Sequence, residues 1–194
     1  LVEGMEPTPD GGMLLRCADG ATIAAGAAVL TTGTFLRGKL FTGLSCTPGG
    51  RAGEAPAMTL TDSLVQMGFA TGRLKTGTPA RIDGRSIAFD EVALAPGEDR
   101  GLHFSFLPPD KPIPQVPCYL TQTTPETHEV IKSGLDRSPM FTGMIEGVGP
   151  RYCPSIEDKV FRFPDKDSHP VFLEPEGLDT DQWYVQGMSS SLPE

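Results

Sequence analysis

The chain has 194 residues, 38% of them hydrophobic, enough for one sizeable core or two modest lobes. Its longest apolar runs, such as Ile23–Leu30, are far too short to cross a bilayer, and no charged-then-apolar leader opens the sequence. A net charge of −9 argues against an all-over nucleic-acid-binding surface while leaving room for a local basic face.

The first forty residues read as strands joined by tight turns. Met13–Cys17 is a short apolar run, Asp19-Gly20 is a turn signal, and Thr22–Ala25 resumes the run. Ala27–Thr32 then reads as a buried strand, because a strand covered on both faces shows continuous apolar residues rather than alternation. It breaks at Gly33, and the small-residue exit Thr32-Gly33-Thr34 would let a backbone or a cofactor approach closely. A plain β-hairpin core is the alternative for this stretch. After the glycine-rich connection Thr47–Gly53, a helix is predicted from about Thr59 to Met67. Leu60, Leu64 and Val65 share one face of it, and Gly68 is its stop.

Gly72–Arg85 concentrates Arg73, Lys75, Arg81 and Arg85 against a single acid, Asp83. Such a run can hold phosphates or can be a solvated charged loop. From Ala95 to Pro117 the density of Pro and Gly predicts loops and short edge strands. A second helix is marked by Thr124 as N-cap, Pro125 at the first helical position, Glu126 near its positive end and Gly134 as its stop. His128 lies in this helix and reads as a surface or partly buried residue. His103 and His169 have no partner at metal-binding spacing, so no metal is assigned. Asp158–Phe163 alternates in polarity, and His169–Glu174 is predicted as a return strand after the turn at Pro164–Asp167.

The cysteines Cys17, Cys46, Cys118 and Cys153 show neither a C-x-x-C pair nor metal-ligand rhythm, which favours a reducing compartment over a disulfide-stapled secreted domain. Cys153 stands out. It sits between Arg151 and Lys159 in the irregular stretch Glu146–Lys159, where neighbouring cations favour the nucleophilic thiolate. A small buried structural thiol is the competing reading. The first residue is Leu1 and the last segment, Met188–Glu194, ends without a polar tail, so the chain is expected to be part of a longer protein.

Longer motifs carry a resemblance. Thr32–Gly38, Gly50–Glu54, Gly72–Pro79, Gln115–Tyr119, Gly147–Phe163, Leu173–Leu178 and Ser190–Pro193 occur in an order similar to that of the MnmG (GidA) family, over essentially the whole chain. The resemblance implies an α/β fold: part of a Rossmann-like FAD/NAD(P)-binding domain over 1–76, an inserted α+β lobe over 77–149, and a return to the first domain over 150–194. It implies FAD as cofactor, with NADH and a methylene-tetrahydrofolate carbon donor. Modification would occur at carbon five of the wobble uridine of tRNA, together with the GTPase MnmE, and Arg73, Lys75, Arg81 and Arg85 would be candidates for tRNA phosphates. It places FAD contacts at Val2 and near Ala57, where relatives commonly have Ser. The nicotinamide dinucleotide is placed along Gly149–Phe163, including Gly149, Pro150, Arg151, Tyr152, Glu157, Asp158 and Lys159.

Cys153 matches one of the family's two functional cysteines, as nucleophile or as general acid or base; the other would lie upstream of Leu1. The segment would lack the family's N-terminal FAD loop and C-terminal helical region and be inactive alone. The full-length protein would be a homodimer in the bacterial cytoplasm or in a mitochondrion or plastid, not in a membrane. Two rivals remain: the related folate- and FAD-dependent tRNA uracil methyltransferase, and a noncatalytic tRNA-binding module.

Overall fold

Turn chemistry organises the first sheet of the computed structural model, which describes residues 1–51, 53–98, 102–107, 109–111, 114–147 and 154–193. Strands β1 (Val2–Pro7), β2 (Met13–Cys17) and β3 (Thr22–Ala25) form an antiparallel meander in that spatial order. Gly11 and Gly20 turn the chain with φ of 86° and 83°, values that side chains other than glycine adopt only under strain. Asp19 Oδ1 accepts from Ala21 N at 3.0 Å and closes the second turn. A hairpin of β4 (Lys39–Thr42) and β5 (Ser45–Pro48) follows.

Helix α1 (Leu60–Gln66) starts after Thr59 and ends before Gly68, within a residue of its predicted limits. It is tied to β1 rather than greased onto it. Ser63 Oγ accepts from Met5 N at 3.1 Å, and Thr59 Oγ1 donates to Glu3 O at 2.6 Å. Its buried residues are therefore Leu60, Thr61 and Ser63, and the predicted apolar face fails at Val65, which is 53% exposed.

Ala27–Thr32 is the larger correction. It is not a strand, and Val29 is 86% exposed. An apolar run of this kind is stable as a strand only when neighbours cover both faces and both edges. No described segment of this chain pairs with it.

The second sheet contains β6 (Arg81–Asp83), β7 (Ala93–Ala95) and β8 (Cys118–Gln122). Helices α2 (Pro125–Ser133) and α3 (Ile156–Arg162) follow, then β9 (Pro170–Pro175) and β10 (Gln182–Gln186). The spatial order is β6-β10-β9-β8-β7, antiparallel throughout. Phe89, Tyr119 and Trp183 stack on one another with ring centroids 4.7–5.8 Å apart. The core under the helices is Ile131, Ile156 and Val160, with Met188 and Leu192 against it.

Helix α2 follows its sequence signals closely. Thr124 caps it through a reciprocal box with Thr127, Pro125 opens it and Gly134 ends it. The alternating stretch Asp158–Phe163, by contrast, is helical as far as Arg162. Ser155 Oγ accepts from Asp158 N, Arg162 pairs with Asp158 one turn away at 2.8 Å, and Ile156 and Val160 fall on one buried face. So short an alternation fits either period.

The described chain divides into two compact units, one of Leu1–Thr76, Arg137–Pro150 and Pro193–Glu194, the other of Gly77–Asp136 and Arg151–Leu192. Gly77 opens the second unit. The segment 150–194, expected to return to the first domain, instead supplies β9 and β10 to the lobe's sheet. There β9 has both edges occupied, by β8 and by β10, and cannot be removed without splitting the sheet. No described helix is long and apolar enough to cross a membrane.

Candidate functional site

In the first unit the backbone of Arg37 is a junction. Arg37 has a φ of 48°, the one non-glycine residue with positive φ among the described residues. Its N–H donates to Ala57 O at 2.8 Å, Ala57 N donates to Phe35 O at 3.2 Å, and Leu36 bridges Ala57 in parallel. Its side chain donates to Met58 O and pairs with Asp62. Both terminal nitrogens of Arg73 donate to Arg37 O at 3.2 Å. Three stretches singled out in the sequence, 32–38, the neighbourhood of Ala57 and 72–76, are thus joined by hydrogen bonds.

Two glycines tighten the junction. A Cβ on Gly38 would lie 2.2 Å from Gly49 O, and one on Gly147 would lie 2.6 Å from Arg73 O. Ala57 spends both its N–H and its C=O inside the junction. Val2 lies at the start of β1, which the Thr59–Glu3 hydrogen bond ties to the residues just after Ala57. Thr32, Gly33 and Thr34 form a turn, with Phe35 N donating to Thr32 O at 3.3 Å and Gly33 at φ 56°.

The four cations are divided between the two units. Arg73 belongs to the first unit and Arg81 and Arg85 to the second. Arg81 pairs with Glu176 at 2.8 Å and lies over the Tyr184 ring. Arg85 grips Asp83 through both Nε and Nη2, and that guanidinium holds the Asp83 carboxyl at about 2. Lys75 is not a surface cation at all: it is 8% exposed and its Nζ has no hydrogen-bond partner among the described residues.

In the second unit, α3 is clamped to the segment 187–191. Ile156 N donates to Ser189 O at 2.8 Å, and Lys159 Nζ donates to Gly187 O at 3.0 Å. Glu157 is fully buried, and its Oε1 accepts from both Ser191 N at 3.0 Å and Ser191 Oγ at 2.9 Å. Glu157, Asp158 and Lys159, expected along the nicotinamide stretch, are therefore engaged in holding this helix in place. Gly149, Pro150, Arg151, Tyr152 and Cys153 lie outside the described residues. Among the described cysteines, burial and the nearby Glu174 charge push the Cys118 thiol up, away from thiolate.

The profile of the family described as "Glucose inhibited division protein A" matches residues 6–194. The chain belongs to the GidA family. It is 58% identical over 174 residues to a protein of Geobacter metallireducens named tRNA uridine 5-carboxymethylaminomethyl modification enzyme MnmG, covering 90% of this chain and 27% of that one. A Heliobacterium modesticaldum protein of the same name is 54% identical, with 93% and 28% covered. Among solved structures, Aquifex aeolicus GidA in its form I crystal superposes with a TM-score of 0.81 at 45% identity, covering all of this chain and 33% of that one. The chain thus spans about a quarter to a third of the length of these relatives. Its fold is the mixed α/β fold of GidA.

This GidA-family segment also holds a buried cluster that sequence reading missed. His128, on α2, and His169, just before β9, are each 5% exposed, with ring centroids 5.3 Å apart. Thr123 joins them, with Oγ1 2.8 Å from His128 Nε2 and accepting from His169 N at 2.8 Å. The residues are far apart in sequence, and only the pairing of β8 with β9 brings them together. Burial, then the His128, Lys159 and Lys166 charges, hold His169 below the ordinary histidine range.

The unfolded chain therefore takes up a proton at His169 near pH 6.5 that the folded chain refuses until lower pH. Stability is full above about pH 6.5 and declines as pH falls toward the depressed folded value. Urea unfolding midpoints between pH 5 and 8 should show this decline, and His169→Asn should flatten it. An unchanged pH slope in that variant would remove His169 as its source.

Proposed function

We propose that the full-length protein is an FAD-dependent enzyme that modifies the wobble uridine of tRNA at carbon five, installing a carboxymethylaminomethyl-type group. NADH would serve as reductant, methylene-tetrahydrofolate as carbon donor and an MnmE-type GTPase as partner. The observation that carries this reading is family membership together with relatives of that name at 58% and 54% identity. The segment alone would be inactive. The full-length protein would be a homodimer in the bacterial cytoplasm or in an organelle.

The residues present fit a dinucleotide cofactor in one respect that does not depend on kinship: the first unit buries an ammonium, Lys75 Nζ, that has no hydrogen-bond partner among the described residues. Val2, Thr32, Gly33, Thr34 and Ala57 would line the flavin, with Ala57 offering a methyl contact where a serine would offer a hydroxyl. When bound, flavin supplies hydride and electron transfer. Gly149, Pro150, Arg151 and Tyr152 would meet the nicotinamide dinucleotide, with Glu157, Asp158 and Lys159 fixing the helix that follows. Arg73, Arg81 and Arg85 would meet tRNA phosphates only by exchanging the carbonyl and carboxylates they now bind.

Cys153 would do the covalent work. Carbon five of uracil is a poor nucleophile until a group adds at carbon six. Addition of the Cys153 thiolate there forms a sulfur–carbon bond and moves an electron pair onto the carbon-four oxygen as an enolate. That pair returns through carbon five to attack an electrophilic one-carbon unit. Loss of the carbon-five proton then expels the thiolate and restores the ring.

The test is to express the full-length protein in bacteria lacking their own copy and to analyse wobble nucleosides by mass spectrometry. Restored 5-carboxymethylaminomethyl-type uridine is expected. A 5-methyluridine product would instead establish the methyltransferase, and tRNA binding without flavin or product would establish the noncatalytic module.

A further inference from the structure

Lys75 is buried where its neighbour is not. The side chain of Lys75 is 8% exposed while that of Leu74 is 74% exposed, so the backbone turns the cation inward and the leucine outward. Long cationic side chains ordinarily extend their charge to water, and a buried charge is ordinarily paired. Lys75 Nζ is buried and has no hydrogen-bond partner among the described residues. The carboxylates with recorded ion pairs in its unit are used elsewhere: Asp62 holds Arg37 and Glu6 holds Arg16.

The segment is fixed, too. The Arg73 guanidinium donates twice to Arg37 O, and Gly147 closes so tightly on Arg73 O that no side chain would fit between them. The lysine is thus positioned by the same junction that carries Ala57.

We propose that Lys75 is an anion-binding residue of the cofactor site, its ammonium held for a negatively charged group of the flavin dinucleotide. The inference rests on the FAD reading above and corrects the sequence expectation of a tRNA-phosphate contact. Phosphates of folded RNA stay at a hydrated surface and meet exposed cations, which Lys75 is not. An ammonium is a compact charge with three donors, suited to a pyrophosphate oxygen or to the anionic edge that the flavin ring gains on reduction. Both sources share one chemistry, an anion that arrives with the cofactor and offsets the buried charge.

The experiment compares full-length wild type with Lys75→Met, which keeps an unbranched side chain one atom shorter and removes the ammonium. FAD affinity is measured by titrating apoprotein, and the midpoint potential by reductive titration against a reference dye. If the anion is the pyrophosphate, FAD affinity falls roughly tenfold or more in both redox states. If it is the reduced ring, oxidised FAD binds as before and the potential moves negative by the equivalent of the same fold-change. Either result supports the assignment.

Wild-type affinity and potential in the variant would overturn it, as would lost tRNA affinity with unaltered flavin properties, which would give the residue to the nucleic acid. Relief of an unpaired buried charge should leave variant apoprotein melting no lower than wild type, and a marked drop would make the ammonium structural. If wild-type protein binds no flavin, the FAD reading falls and this inference with it.

Discussion

Cys153→Ser in the full-length protein is expected to abolish uridine modification, by at least about a thousandfold, while leaving flavin bound. A serine hydroxyl is nearly isosteric with the thiol but is not ionised near neutral pH, so it cannot add to carbon six of uracil unaided. Flavin retention is expected because every residue assigned to the flavin lies between Val2 and Lys75, in the first unit. The control is Cys118→Ser. Cys118 has its thiol pushed up by burial and by Glu174, is not suited to be a nucleophile, and should leave turnover within about twofold of wild type. Mass spectrometry of wobble nucleosides and the flavin absorbance of the purified variants measure the two quantities together. Normal modified-uridine levels in Cys153→Ser would sink the assignment. Loss of flavin along with activity would mean that the residue supports the fold rather than the chemistry.

Local signals were legible wherever they are self-contained. The Asp19-Gly20 turn, the limits of α1 and the cap, proline and stop of α2 each depend on a few adjacent residues, and the structure has each of them. What depended on distant partners was not legible. Ala27–Thr32 has the composition of a doubly covered strand, but pairing is a property of neighbours and no described segment supplies them. Asp158–Phe163 alternates too briefly to distinguish a strand from a helix, and Ser155 capping together with burial of Ile156 and Val160 decides for the helix.

The site divides in the same way. The basic run was visible, yet sequence cannot show that Arg85 is occupied by Asp83 or that Lys75 points inward. Identity of the family came through because motif order survives where single residues are ambiguous. The histidine pair left no signal, since nothing in either neighbourhood announces the other.

Glu157→Ala should destabilise the second unit by about 3 kcal/mol, the largest effect on stability anticipated here. The carboxylate is wholly buried, and Oε1 accepts both the N–H and the hydroxyl of Ser191, itself 8% exposed. Truncation strands two donors away from water and opens a cavity in the first turn of α3, and each deficit costs on the order of 1–3 kcal/mol. Partly offsetting this, the variant loses Oε2, a buried oxygen that has no hydrogen bond from the described residues.

Glu157→Gln separates geometry from charge. Its amide oxygen can keep both Ser191 bonds while an uncharged NH2 replaces the bare Oε2, so a change within about 1 kcal/mol is expected. Denaturant melts of both variants make the comparison. Equal losses in the two would show that charge rather than the Ser191 clamp holds the helix, and no loss in either would show that the other ties, Ile156 N to Ser189 O and Lys159 Nζ to Gly187 O, suffice. The consequence for activity follows from chain position. Because α3 begins three residues after Cys153, loosening its first turn would loosen the chain next to the proposed nucleophile. Turnover is expected to fall in Glu157→Ala and to be retained in Glu157→Gln, with FAD affinity unaffected in both.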